Sequence, residues 1–355
     1  MKIVSVVGAR PQFIKLFPVS RALRRHHAEV IVHTGQHYDP QMSDVFMREM
    51  EIPHPDYNLG VGSGSHAEQT ARMLTGLEEV FIKERPDTVL VFGDTNSTLA
   101  AALAAAKLDI RVAHIEAGLR SRNRQMPEEI NRVLTDHVSA LLFCPTEAAV
   151  RNLAQEGITT GVSLVGDVML DAALHFGEKA DGRASLLGEL KVERGEYLLA
   201  TIHRASNTDS HEALATLLAT FAAIDEPIVF PVHPRTRKAM VDSKLSPSSN
   251  VRLIDPVGYL DMLALEKNAR MILTDSGGVQ KEAYFFGIPC VTLRTETEWT
   301  ELVDAGWNQV VGLDGGRILT AVKEWKPSGS RPPLYGKGDA SERIADLLGD
   351  QAKEQ

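Results

Sequence analysis

Cysteine is scarce in this chain: Cys144 and Cys290 are the two in 355 residues, each beside an apolar run and far from the other. That excludes a disulfide scaffold and fits reduced thiols in buried strands. Long hydrophobic runs are missing as well. The longest apolar helix candidate, LAAALAAA from Leu99, is too short to span a bilayer, and the N-terminal MKIVSVVGARPQF holds one lysine and an apolar stretch too short for a signal peptide. The expectation is a cytoplasmic protein with no membrane partner. An excess of positive charge is absent too, since 38 Lys and Arg stand against 47 Asp and Glu for a net −9, which argues against nucleic acid as a partner. Any anionic ligand must therefore be held locally. No spacing of histidines and cysteines suits zinc or iron, the G-x-G-x-x-G dinucleotide fingerprint is missing, and no repeat or low-complexity tract stands out.

What is present is an alternation. KIVSVVG, EVIVHTG, DTVLVFGD, RVAHIEAG and LLFCPT read as buried strands with amphipathic segments between most of them. Near SLVGDVMLD the series pauses, crosses a polar stretch, and restarts with YLLATIH, PIVFPVH, VRLIDP, RMILTD and IPCVTL. Length and pattern together predict an α/β protein of two Rossmann-like doubly wound domains facing a crevice, at residues 1–168 and 169–336. A helical tail follows at 337–355, able to pack on either domain. Ligands of such sheets sit beyond the carboxyl ends of the strands, so the residues there carry the functional argument.

The most informative of these junctions is LTDSGGVQKEA. A strand ends at about Thr274, Asp275 or Ser276 caps a helix, and Gly277 and Gly278 let a phosphate approach backbone N–H groups. Glu282 lies about one turn further on, within reach of a ribose, so a nucleoside diphosphate fits the pattern. After the first strand, Arg10 and Lys15 stand where the chain leaves the sheet and are candidate anion contacts. Asp94 and Glu116 end two further strands, and Pro127 opens a helix carrying Glu128 and Glu129, so acids converge on one mouth. Of the last two, Glu129 is expected to face solvent. His203 and His233 end strands in the second half. The Gly-rich GVGSGSH follows PDYN and reads as a loop.

Taken in order, GARPQFIK, GDTNSTLA, HIEAGLRS, MPEEINR, TIHR, PVHP and LTDSGGVQKEA resemble the non-hydrolysing UDP-N-acetylglucosamine 2-epimerase family, over nearly the whole chain. The resemblance implies the glycosyltransferase-B fold, a UDP-sugar substrate, a homodimer, a place in polysaccharide biosynthesis and no cofactor. By motif position it makes Asp94, Glu116, Glu128 and His203 catalytic, with Glu128 turned inward. It puts Arg10, Lys15 and His233 on the substrate, Ser276, Gly277 and Gly278 on the phosphates, and Glu282 on the ribose. There are departures: GARPQFIK stands where well-known members read G-T-R-P-E-A-I-K, Ser206 replaces a common acid, and TEWTE replaces T-E-R-P-E. This set looks like the branch acting on UDP-2,3-diacetamido-2,3-dideoxy-glucuronic acid.

Inverting C2 of an N-acetylhexosamine removes a hydrogen that no adjacent carbonyl activates. Transient oxidation at C3 would need a tightly bound nicotinamide, for which no fingerprint exists here. Expulsion of UDP from C1 while a base takes the C2 proton needs what the strand ends offer, an amide-lined place for the pyrophosphate and carboxylates near C1. The expectation is therefore epimerisation of UDP-N-acetylglucosamine to UDP-N-acetylmannosamine by elimination and re-addition of UDP. The alternatives are the diacetamido-glucuronate substrate, a hydrolysing epimerase, a glycosyltransferase of the same fold, and a non-catalytic nucleotide-sugar sensor.

Overall fold

The structure, a computed structural model, describes residues 1–36, 47, 50–183 and 185–351. Strands Lys2–Val7 (β1), Ala28–His33 (β2), Tyr57–Asn58 (β3), Thr88–Phe92 (β4), Arg111–Ile115 (β5), Leu141–Cys144 (β6) and Val162–Leu164 (β7) form one sheet, in the order β3-β2-β1-β4-β5-β6-β7. Leu198–Thr201 (β8), Ile228–Pro231 (β9), Val251–Ile254 (β10), Met271–Thr274 (β11), Cys290–Thr292 (β12) and Asn308–Val310 (β13) form a second, in the order β10-β9-β8-β11-β12-β13. All pairings are parallel, as in Val4↔Val89 and Leu273↔Ala200. This is the expected α/β architecture, two doubly wound sheets of the glycosyltransferase-B type.

Every strand expected from an apolar run is there. The three that were not, β3, β7 and β13, lie at sheet edges and are two or three residues long. They are only partly buried, so no continuous apolar run announces them. Central strands show the opposite pattern: TVLVF of β4 and LLAT of β8 are buried at every residue because helices cover both sheet faces. In the first sheet Val4, Val6, Val89 and Val91 pack with Leu77 and Phe81 of helix His66–Glu84 and with the alanines of helix Asn96–Lys107. Burial of each large side chain in that set stabilises the fold by about 2–3 kcal/mol. Leu217, Phe221, Phe230, Leu273 and Ile318 anchor the core of the second sheet. Cys144 and Cys290 are buried free thiols.

The chain divides into two compact units. Met1–Ala172 associates with the stretch beginning at Pro333, and Ala173–Pro332 forms the other unit. Helix Val168–Ala180 carries the chain across the division. The tail helix Ala340–Gln351 docks in the first unit: Asp171 accepts from Ser341 N at 2.8 Å and Ser341 Oγ at 2.6 Å, Arg25 pairs with Glu342 at 2.5 Å, and Arg343 Nη2 donates to Leu164 O at 2.6 Å. Among the described residues no helix is long and apolar enough to cross a membrane.

Both strand orders reverse once, between β1 and β4 in one sheet and between β8 and β11 in the other. Chain segments leaving the carboxyl ends of these pairs diverge to opposite sides, which opens a crevice in each sheet. Arg10 and Lys15 follow β1, Asp94 follows β4, His203 follows β8 and Ser276 follows β11.

Candidate active site

In the first unit Lys15, Glu116 and Asp94 each stand in an ion pair. Lys15, on helix Arg10–Leu23, is buried and its Nζ lies 2.6 Å from Oε1 of Glu116, also buried. Glu116 has a left-handed backbone (φ 71°), a conformation that other bonds must hold in place. Gly93 (φ +63°) makes room for the pair, since a Cβ there would sit 3.0 Å from Lys15 Nζ and 3.5 Å from Glu116 Oε1. Asp94 pairs with Nη2 of Arg132, a buried arginine whose Nη1 donates to Glu129 at 3.0 Å. Asn131 Nδ2 donates to the Asp94 carbonyl at 3.0 Å and to Asn96 Oδ1 at 3.2 Å, tying the β4 turn to helix Pro127–Val138. Arg10, the first residue of its helix, is exposed.

Helix Pro127–Val138 corrects one expectation. Glu129 is buried and Glu128 is exposed, the reverse of what was anticipated. The reason is hydrogen bonding: the Glu129 carboxylate accepts from Ser121 N and Oγ, both at 2.9 Å, from Arg122 N at 2.8 Å, and from Arg132. It fixes the loop after β5.

In the second unit Ser276 is the N-cap of helix Gly277–Phe286, its Oγ accepting from Val279 N at 3.5 Å. Asp275 is fully buried behind it and accepts from His203 N, Arg204 N and Asn207 Nδ2 at 3.0–3.1 Å. The His203 ring, with its side chain 42% exposed, has Nδ1 3.3 Å from Asp275 Oδ1. Although one edge of the ring is open, the protein atoms crowding the rest of it displace water and lower its pKa below the ordinary histidine value; this outweighs the pull of Asp275, with Arg204 and Arg235 adding to the depression. His233 caps helix Pro234–Asp242, accepting from Arg235 N at 3.2 Å, and its ring centroid is 5.9 Å from that of His203.

Glu282, buried on the same helix as the glycines, accepts from Tyr259 Oη at 2.9 Å. Nearby Glu266 is fully buried, and burial followed by repulsion from Glu282 raises its carboxyl pKa well above the usual range. The variant segment TEWTE lies against the first turn of helix Gly277–Phe286. A Cβ on Gly277 would sit 2.5 Å from Glu298 Oε1 and 3.3 Å from Trp299 Nε1. Arg294 holds Glu298 at 3.0 Å, Thr297 Oγ1 donates to Gln280 at 2.7 Å, and Lys281 Nζ stands 4.2 Å from the Trp299 ring centroid.

Several residues, in each unit, escaped the sequence argument. Gln12 has a signal, its place three residues after Ala9, and its Oε1 accepts from Gly8 N and Ala9 N at 2.8 and 3.0 Å. Its Nε2 donates to Phe92 O at 2.8 Å, joining the first turn to β4. Arg132 lay within MPEEINR with nothing nearby in sequence to suggest its role, nothing local marks Glu266 as a buried acid, and Asp275, read as one of two possible helix caps, is instead buried while Ser276 is the cap.

A family model described as UDP-N-acetylglucosamine 2-epimerase matches residues 21–349. A protein of Methanococcus maripaludis named UDP-N-acetylglucosamine 2-epimerase homolog is 54% identical, covering 98% of this chain and 99% of its own. The UDP-2,3-diacetamido-2,3-dideoxy-D-glucuronate 2-epimerase of Pseudomonas aeruginosa is 49% identical over the same shares, 98% and 99%. Among solved structures, the Methanocaldococcus jannaschii UDP-GlcNAc 2-epimerase in complex with UDP-GlcNAc and UDP matches with a TM-score of 0.91 at 44% identity, covering 99% of this chain and all of that one.

Proposed function

This chain belongs to the UDP-N-acetylglucosamine 2-epimerase family, and from that premise we propose that it inverts C2 of a UDP-N-acetylhexosamine by elimination and re-addition of UDP, without hydrolysis. The observation that carries the proposal is the pair Asp94 and Glu116 at the ends of neighbouring strands, each with its own buried cation, Arg132 and Lys15. A carboxylate so placed takes the C2 proton while the C1–O bond breaks and its electron pair leaves with UDP. Protonation of the resulting glycal on its other face, followed by return of UDP to C1, gives the epimer with no net change in redox state.

Ser276, Gly277 and Gly278 at the helix amino end are assigned to the pyrophosphate, with Arg10 as a further cation, and Glu282 to the ribose. Lys15, placed on the substrate by the family resemblance, is here assigned to Glu116, the partner it has in this structure. Glu128 is assigned to proton transfer with the other two acids. His203 and His233, side by side at the ends of β8 and β9, are assigned to the phosphates or the returning proton. An assay of C2 inversion by proton NMR, with free sugar and UDP monitored to detect hydrolysis, tests the reading.

A second substrate is favoured by a specific feature. The TETEWTE segment lies over Gly277, and a relative of like sequence is named for the diacetamido-glucuronate. Running both UDP-sugars in that assay decides between them. We further assign the protein to the cytoplasm, to the supply of sugar donors for polysaccharide synthesis, and to a homodimer. The dimer is supported by the exposed Ile130 and Leu134, one turn apart on helix Pro127–Val138, beside a 460 Å³ groove that Ile130 lines together with Leu74 and Ala71.

A further inference from the structure

His114 lies within β5, fully buried, and both its ring nitrogens face oxygen atoms. Nε2 is 2.7 Å from the Gly93 carbonyl, which only accepts, so Nε2 carries a hydrogen. Nδ1 is 2.7 Å from Oδ1 of Asp136, which is also buried. One proton must lie in that second contact, and the other partners of Asp136 put it on the ring. Oδ2 of the same carboxylate accepts from Gly118 N at 3.1 Å and from Arg120 Nη1 at 2.7 Å, as an ionised group does. Burial acts to raise the Asp136 carboxyl, but the contacts with His114 and Arg120 outweigh it and hold the group below the usual carboxylate range.

The surrounding charges agree. Arg120 is held at its other edge by Glu156, at 2.7 and 2.6 Å. Two carboxylates against one guanidinium leave one negative charge, and an imidazolium balances it. Cys144, on the neighbouring strand β6, is a neutral thiol that burial pushes up to about 12. The nearby Lys15–Glu116 pair is balanced within itself, and Arg132 is shared between Asp94 and Glu129.

The bonds of this network fall on two turns. Gly93 immediately precedes Asp94, and Gly118 follows Glu116 by two residues. Gly93, Glu116 and Gly118 all have left-handed backbones (φ 63°, 71° and 80°), and at Gly118 a Cβ would sit 2.4 Å from the Ala149 carbonyl. Turns of this kind persist only when surrounding bonds determine them. We propose that His114, kept as an imidazolium by Asp136, is a positioning residue for the epimerisation, clamping through Gly93 and Gly118 the two turns from which Asp94 and Glu116 project. The inference rests on the assignment of those two acids to catalysis. His114 and Asp136 act through the backbone, not on the substrate.

The test uses the full-length protein with ¹⁵N-labelled histidine and the Asp136→Asn variant, which keeps the side-chain shape and removes its charge. In the wild type both His114 ring nitrogens should show protonated shifts at pH 7, as the two hydrogen bonds require. In Asp136→Asn one nitrogen should lose its proton. kcat should fall roughly 10–100-fold, the scale expected when reacting groups are displaced by about an ångström, while the Kd for UDP stays within about twofold. Part of the lost kcat should return at lower pH, where the ring regains its charge, and a merely structural defect would not recover in this way. A neutral His114 in the wild type at pH 7, or an unchanged kcat in the folded variant, overturns the proposal. If the variant does not fold, the wild-type ring signal alone decides. Asp94→Asn distinguishes the two readings: it should abolish turnover and leave the His114 signals untouched, and retained activity would overturn the catalytic assignment instead.

Discussion

Lys15 Nζ and Glu116 Oε1 lie 2.6 Å apart in a buried ion pair, in space left by the missing side chain of Gly93. Each needs the other, because an isolated buried charge is costly. Lys15→Met should therefore destabilise the fold by about 3–5 kcal/mol, and Lys15→Met combined with Glu116→Gln should recover much of that loss. Urea denaturation of the single and double variants measures both. A Lys15→Met protein of normal stability that binds UDP poorly would return Lys15 to the anion-binding role.

Elimination predicts that epimerisation in deuterated water places deuterium at C2 of the product. Asp94→Asn, Glu116→Gln and Glu128→Gln should each slow turnover by about two or more orders of magnitude while UDP affinity is preserved. Mass spectrometry and calorimetry read the two effects. Full retention of the original C2 hydrogen would exclude the route.

Glu282→Ala should weaken UDP by about 1–3 kcal/mol, the scale of a lost hydrogen bond to a charged group, and leave inorganic pyrophosphate binding unchanged. Tyr259→Phe, which removes the 2.9 Å bond to Glu282, should weaken UDP by less. Equal losses for UDP and pyrophosphate would move Glu282 to the phosphates.

His33 gives a pH prediction. Its ring is buried at the end of β2, Nδ1 accepts from Gly35 N at 2.6 Å, and burial lowers its pKa from 6.5 to about 4. The unfolded chain takes up this proton near pH 6.5 and the folded chain only near pH 4, so stability is whole above 6.5 and is lost as pH falls toward about 4. The loss reaches roughly 3 kcal/mol at the low end. Chemical denaturation at several pH values should show a shallower decline in His33→Gln than in the wild type over this window.

Replacing exposed Ile130 and Leu134 together by Asp should convert a dimer to monomer in sedimentation without lowering the melting temperature of a protein studied at low concentration. A wild type that sediments as a monomer removes the homodimer assignment.

Much of this was legible in the sequence because buried parallel strands write themselves as apolar runs and their ends carry the functional side chains. β4 and β11 are of this kind, and Asp94 and Ser276 follow directly from them. The edge strands β3, β7 and β13 were not legible, since partly buried segments of two or three residues carry no period. At Pro127 the helix start was clear but which of two adjacent glutamates turns inward was not. That choice is made by the amides of Ser121 and Arg122, brought to Glu129 by tertiary structure. For the same reason Lys15 read as an anion contact, because its partner lies 101 residues away.

The tail helix makes the first unit discontinuous, with the second inserted between Ala172 and Pro333. On a ribosome, therefore, the later-made part is the one that can finish first: Ala173–Pro332 is a single uninterrupted stretch, whereas the unit bearing Asp94 and Glu116 must wait for Ala340–Gln351 to emerge before Asp171 and Arg25 find Ser341 and Glu342. A nascent chain stalled before Ala340 would thus carry a completed Ala173–Pro332 unit beside one that bears Asp94 and Glu116 and still lacks its last clasp.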